Sequence, residues 1–334
     1  MHKVTIEDIS RHTGLSRGTV SRALNDRPDI SQQTKERVLE ACRELHYSPS
    51  HAARSLATGR RYAVAILVDD LQSVFASAFA RGVIARAQAE HYAVHVSELG
   101  AEPERAIEHL RALVSERVDS LLLATPLRPD LAQRVAEFMS ERPLVAVAPL
   151  PGFACDVLGP DYAEAGRLAA RHLLRGSAPD VLYVHQDSSA AGQLRRTGFE
   201  EVCQAAGLNP AQISIEVPPP RADQADRLAA VRARLGNVRA LAASDDFLAL
   251  ELMLLCSSAG RSPGNDLAIL GQGNESVGTR ISPTLTTIDY CGTEIGQRAL
   301  DIALQRVMNT RQDAPQQVSV APLLIARETT RLLQ

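Results

Sequence analysis

The chain has 334 residues, 45% of them apolar and 22% charged, which is enough apolar material for two or three ordinary cores. The formal net charge of −3 hides a division: 11 basic and 7 acidic side chains lie through Arg61, a balance of +4, and 25 basic and 32 acidic ones follow, a balance of −7. No apolar run approaches the ~18 residues of a membrane span, and the N-terminus lacks the apolar core of a secretory signal.

The five cysteines (Cys42, Cys155, Cys203, Cys256 and Cys291) are scattered, odd in number and never spaced as C-x-x-C. That usage fits a reduced cytoplasm and offers no structural zinc site, so no metal and no cofactor are expected. A basic arm on an acidic body, by contrast, is a recognised mark of a nucleic-acid partner.

In chain order, Thr5 followed by Asp8 is a capping-box pattern opening a first helix that turns Ile6 and Ile9 inward. Gly14 ends that helix, and Ser16 caps a second with Val20 and Leu24 on its buried face. Asn25-Asp26-Arg27-Pro28-Asp29 breaks it, and Ser31 opens a third helix whose expected apolar stripe is Val38, Leu39, Cys42 and Leu45. Two of these three helices are joined by a tight glycine turn, the helix-turn-helix layout. The segment Ser48–Gly59 follows, bounded by Pro49 and Gly59. It is too short and polar to hold a helix alone, which suits a linker that orders on a partner.

From Tyr62 onward, apolar runs of strand length alternate with helical patterns. The expected strands are Ala63–Val68, Ala93–Val96, Leu121–Ala124, Leu144–Ala148, Val181–Val184, Ile213–Val217, Leu241–Ala243, Leu267–Leu270 and Leu285–Ile288. Such alternation predicts doubly wound parallel sheets, and nine strands are enough for two α/β lobes with a ligand cleft at the strands' carboxyl ends. No metalloprotease, P-loop or dinucleotide motif is present. Asp69-Asp70 and Asp245-Asp246 follow strands, where carboxylates cap helices or bind ligands. The second helix carries Arg17, Gly18, Thr19, Ser21, Arg22 and Asn25 on its polar side. Arginine forks match the guanine edge in the major groove, the hydroxyls suit phosphates, and Gly18 lets the backbone approach closely.

These residues bring out a resemblance. Val4-Thr5-Ile6-Glu7-Asp8-Ile9, Gly14-Leu15-Ser16 and Thr19-Val20-Ser21-Arg22-Ala23-Leu24-Asn25 resemble the N-terminal signature of the LacI/GalR family of bacterial transcription regulators. Tyr47-Ser48-Pro49-Ser50 with Ala53-Arg54-Ser55-Leu56 resembles that family's hinge helix. Arg195-Arg196-Thr197-Gly198-Phe199, Pro283-Thr284-Leu285-Thr286-Thr287-Ile288 and Leu324-Ile325-Ala326-Arg327-Glu328-Thr329-Thr330 extend the likeness to the C-terminus.

The resemblance implies a helix-turn-helix headpiece over 1–47, a hinge over 48–61 and a periplasmic-binding-protein-like core over 62–334. Its first lobe would span about 62–160 and 290–320, and its second about 161–289 and 321–334. It implies a cytoplasmic homodimer, without enzymatic activity or membrane contact, on a palindromic operator in double-stranded DNA. Base readout would fall to Arg17, Gly18, Arg22 and, as a minor-groove wedge, Leu56. Backbone contacts would fall to Thr5, Ser16, Thr19, Ser21, Asn25, Ser31, Ala53 and Arg54. A small effector, a sugar or sugar derivative, would meet Asp69, Phe75, Arg195, Asp245, Asp246, Gln272, Gly273 and Asn274.

The cleft residues depart from the family pattern. Asp245-Asp246 stands where Asn-Asp is usual, and Gly273 stands where many members have an aspartate. A phosphorylated or acidic sugar, and action as an activator or dual regulator, are therefore alternatives to a repressor answering a neutral sugar. A solute-binding protein or a sugar-processing enzyme would explain the body and leave the headpiece without a role.

Overall fold

The computed structural model describes residues 4–24, 29–45, 47, 60–99, 107–108, 111, 118–127, 129–139, 142–175, 180–186, 189–220 and 227–333. The chain divides into two compact units, Met1–Tyr62 and Ala63–Gln334. The linker at 48–59, and with it Ala53, Arg54 and Leu56, lies outside the described residues, as does Asn25.

The first unit holds α1 (Ile6–Thr13), α2 (Arg17–Leu24) and α3 (Gln32–Glu44). At the start of α1 the Thr5 backbone N–H and hydroxyl both donate to the Asp8 carboxylate, at 2.9 and 2.8 Å. Gly14 ends the helix at φ +66°, a left-handed conformation that costs glycine little. Ser16 Oγ accepts from Thr19 N at 3.1 Å to open α2, and Ser31 Oγ accepts from Thr34 N at 3.3 Å to open α3. Ile9, Val20, Ala23, Val38, Ala41 and Cys42 form the core of this unit. Leu39 corrects the expected stripe, because it is 51% exposed and Ala41 is buried instead. Each residue turns about 100°, so positions 38, 41, 42 and 45 share a face that 39 leaves.

The second unit runs β1 (Ala63–Val68), α4 (Val74–Ala89), β2 (Ala93–Glu98), β3 (Ser120–Leu123), α5 (Pro129–Phe138), β4 (Leu144–Ala146), β5 (Asp156–Pro160), α6 (Tyr162–Leu173), β6 (Val181–His185), α7 (Ala190–Ala205), α8 (Pro210–Ile213), β7 (Ser214–Glu216), α9 (Ala229–Arg234), β8 (Ala240–Ala243), α10 (Asp246–Ser258), β9 (Ala268–Gln272), β10 (Thr286–Asp289), α11 (Gly292–Val307), β11 (Gln317–Val320) and β12 (Leu323–Ile325). They build two six-stranded sheets, ordered β11-β5-β4-β3-β1-β2 and β12-β10-β9-β8-β6-β7. All pairings are parallel except β10 with β12. The central strands β1, β3, β6, β8 and β9 are buried on both faces, as strands covered by helices must be.

The two-sheet α/β architecture is the one the alternating pattern predicts. β5, β11 and β12 add to the nine expected strands: β5 ends in Gly159-Pro160, while β11 and β12 are short edge strands with exposed positions. The chain passes between sheets after β5, after β10 and, within two residues, between β11 and β12. Four buried glycines let helices cross in backbone contact within each sheet's cover. A Cβ on Gly82 or Gly296 would lie 2.0 Å from Thr293 O or 2.1 Å from Phe79 O where α4 meets α11. On Gly166 or Gly198 it would lie 1.9 Å from Arg195 O or 2.0 Å from Ala163 O where α6 meets α7.

Candidate functional site

The polar side of α2 faces solvent because Val20 and Ala23 anchor its other side. Arg17 and Arg22 are 71% and 51% exposed, and among the described residues Gly18 between them has only Ser16 Oγ at 3.8 Å and Arg22 NH1 at 3.9 Å near its missing Cβ. Glu7 stands 3.9 Å from Arg17 and Asp29 3.5 Å from Arg22. Exposed pairs of this kind are worth at most about 1 kcal/mol, so a DNA phosphate or base edge can displace the carboxylates. Thr19 and Ser21 are half-buried beside the arginines, while Thr5, Ser16 and Ser31 stand at the exposed starts of α1, α2 and α3. Helix N-termini direct free N–H groups outward and favour phosphate.

In the core, the strand ends of the second sheet gather Gln186, Ser244, Asp245, Gln272 and Asp289. Arg195 on α7 is 8% exposed, and its guanidinium carbon lies 5.6 Å from the Tyr162 ring centroid and 5.7 Å from that of Tyr290. The two rings meet edge to face at 5.4 Å, so the cation rests on their negative faces. The Gly166–Gly198 crossing brings α7 close enough to α6 for this stack. Tyr290 also donates from its hydroxyl to Gln272 Oε1 at 2.8 Å, and burial pushes its pKa far up.

Asp245 caps α10 through Leu248 N at 2.8 Å and accepts Gln186 Nε2 at 2.9 Å and Ser244 Oγ at 3.1 Å. Arg227, 9% exposed, donates to Glu251 at 2.8 Å and to Gln186 Oε1 at 3.0 Å, which holds Gln186 toward Asp245. Neither Tyr162 nor Tyr290 was singled out in the sequence, since a tyrosine after a strand carries no motif of its own.

Several expected effector residues occupy other roles. Asp246 is fully buried, accepting Glu275 N and Thr287 Oγ1, each at 2.6 Å, and burial pushes its pKa to about 6. Gln272 is 1% exposed, with its amide spent on Tyr290, Tyr183 and Ala243 O. Both lie behind the cleft surface, a correction with two causes: Gln272 ends a strand covered on both faces, and Asp246, at the start of α10, is buried against Glu275 and Thr287. Phe75 is likewise buried, 6.1 Å from Phe79. Asn274, at φ +56°, is held by Thr287, Asp289 and Arg327. Asp69 remains exposed at the end of β1, accepting Asp70 N at 2.9 Å. Gly273 and Asn274 line a cavity of ≈ 590 Å3 together with Val74, Ala78, Arg81 and Gly292.

Burial pushes the thiols of Cys155 to about 11 and of Cys203 and Cys256 to about 12, the behaviour of core cysteines. Among the described residues no His, Cys, Asp and Glu group is arranged to hold a metal ion, and no helix is long and apolar enough to cross a membrane.

A helix-turn-helix unit with an exposed arginine face, joined to a two-sheet α/β core with a built cleft, defines a DNA-binding transcription regulator. Residues 5–50 match the model of bacterial regulatory proteins of the lacI family, and residues 170–330 match that of the periplasmic binding protein-like domain. The chain thus carries a DNA-binding domain of the lacI family and a periplasmic binding protein-like domain. It is 25% identical over 333 residues, 98% of either chain, to the HTH-type transcriptional repressor PurR of Haemophilus influenzae. It is 26% identical over 331 residues to the ribose operon repressor of Halalkalibacterium halodurans, covering 98% of this chain and 97% of that one. The fold matches the lac repressor dimer bound to operator and the anti-inducer ONPF with a TM-score of 0.76 at 22% identity, covering 98% of this chain and 99% of the other.

Proposed function

We propose that the chain is a repressor whose hold on a palindromic operator is set by a small, sugar-like molecule bound between the core lobes. Helix α2 reads bases through Arg17, Gly18 and Arg22. Thr5, Ser16, Thr19, Ser21, Asn25, Ser31, Ala53 and Arg54 hold the phosphate backbone, and Leu56 wedges the minor groove. The headpiece spans 1–47, the linker 48–61 and the core 62–334. The chain acts as a cytoplasmic homodimer and performs no catalysis. Repression, not activation, is favoured because the curated relatives are repressors.

The observation that carries this reading is the exposed Arg17–Gly18–Arg22 face, held out by the buried Val20 and Ala23. The effector meets Arg195 and Asp245, a reading supported by the stack of Arg195 on Tyr162 and Tyr290 and by the cavity that Gly273 and Asn274 line. A ligand that prefers one lobe angle shifts the population toward it, and its differential affinity is the coupling free energy. Selection of duplexes by the full chain from a random pool tests the DNA reading; an enriched palindrome is expected, and recovery without enrichment would overturn it. Adding D-ribose, sugar acids and sugar phosphates to that complex tests the effector reading. At least one should change operator affinity, and no change with any of them would remove the sugar assignment.

A further inference from the structure

The loop that follows β9 is clamped to the second lobe at four points. Asn274 N donates to Thr287 Oγ1 at 3.1 Å, Asn274 Nδ2 to Asp289 at 2.8 Å, Arg327 NH2 to Asn274 Oδ1 at 2.7 Å and Glu275 N to Asp246 at 2.6 Å. Arg327 is thereby the part of the C-terminal motif that reaches the cleft. The loop's first residue, Gly273, has φ +123°, a conformation that effectively only glycine adopts. Against its bare Cα face lies Val74, the first residue of α4, which belongs to the first lobe and is held by its cap Ser73. A Cβ on Gly273 would stand 3.3, 3.5 and 3.6 Å from Val74 Cγ1, Cγ2 and Cβ.

Two stiff elements of opposite lobes therefore touch with no flexible side chain between them. The contact lies beside the pivot, because Gly273 N donates to Ile288 O at 2.8 Å, at the end of the strand that crosses between lobes. A wedge close to a pivot turns a shift of a few tenths of an ångström into a larger swing of the distant lobe ends. Packed interfaces resist such shifts and respond by rigid-body rotation.

We propose that Val74 is a positioning residue for operator binding: seated on Gly273, it sets the resting angle between the two lobes. The proposal rests on the reading that lobe angle governs operator affinity. Removing bulk at position 74 lets the lobes close further, and adding bulk opens them. A methyl at 273 acts as added bulk, although its backbone strain makes it the less clean perturbation.

The test uses the full chain and a duplex it selects, with operator affinity read by titration and overall dimensions by small-angle X-ray scattering. Val74→Ala and Val74→Ile should move operator Kd in opposite senses, each by about fivefold or more, the low end of ordinary coupling energies. The radius of gyration should shift in step, and melting temperatures should stay close to wild type. Gly273→Ala should resemble Val74→Ile, and the double variant Gly273→Ala/Val74→Ala should return toward wild type in both readouts. Shifts in the same sense, or affinities and dimensions that do not change across the series, overturn the proposal. If no duplex is selected at all, the operator reading falls, and the scattering series alone decides whether Val74 sets the angle.

Discussion

Substituting Gly166 by alanine should cost the core about 2 kcal/mol although alanine is the better helix former. A Cβ there would lie 1.9 Å from Arg195 O and 2.8 Å from Phe199 N, and real Cβ atoms essentially never approach within 3.0 Å. The atoms it meets are backbone, which cannot rotate aside, so α6 and α7 must part by about 1.1 Å, the shortfall from that limit. Gaps of about 0.5–1 Å already forfeit a quarter to a half of a dispersion well, and these helices are closely packed, with Ala165, Ala169, Leu173 and Phe199 all buried. Overpacking of this kind costs about 1–3 kcal/mol and at times more, and the gain in helix propensity offsets up to about 1 kcal/mol. The crossing also holds Arg195 over Tyr162, so effector binding should weaken along with stability. Urea unfolding followed by circular dichroism measures the loss. Gly236→Ala is the control: nothing lies within 4 Å of a Cβ there, and stability should hold or rise by a few tenths of a kcal/mol up to about 1. Equal stability of the Gly166 variant and wild type would refute the argument from close helix contact.

Arg22→Ala should cost roughly 1–3 kcal/mol per half-site and relax base preference at one position; uniform weakening on every duplex would make Arg22 a phosphate contact. Asp246 has a folded pKa of about 6 against an ordinary 3.8, so the native state holds its proton more tightly than the unfolded chain. Stability contributed by that group is full below about pH 4 and is lost as pH rises to about 6. Asp246→Asn keeps an acceptor for Glu275 N and a donor for Thr287 Oγ1, so it should remove this dependence without loss at neutral pH; greater instability at pH 7 would contradict the desolvation account. His172 has the opposite sign. Burial, with Arg175 nearby, lowers its pKa from 6.5, so stability is present above pH 6.5 and is lost on acidification. His172→Gln should flatten that acid limb in urea titrations at stepped pH.

Much of the fold is readable in the sequence because parallel strands buried on both faces are written as unbroken apolar runs. Ala63–Val68 and Val181–Val184 are of this kind. The strands that escape are those whose partners, not their residues, make them strands: β5 carries Gly159-Pro160, and β11 is held by pairing to β5 alone. The cleft is less legible than the headpiece for a related reason. On a surface helix such as α2, spacing decides which side chains face out. At the end of a buried strand, or at the start of the helix after it, the side a residue faces depends on packing, so Gln272 and Asp246 could be identified as cleft neighbours but not as buried supports. Tyr162 and Tyr290 meet only through the crossing between sheets, across 128 positions of sequence.

β11 and β12, two residues apart, each supply an outer strand to a different sheet. During synthesis neither lobe can complete its hydrogen-bonded edge until residues 317–325 have emerged from the ribosome. The headpiece, with its own core, has no such dependence. A message that ends between β10 and Gln317 would therefore release a chain with a finished reading head and two unfinished lobes, each with an open strand edge of the kind that invites aggregation. Quality control of this regulator would act on the stretch that encodes β11 and β12.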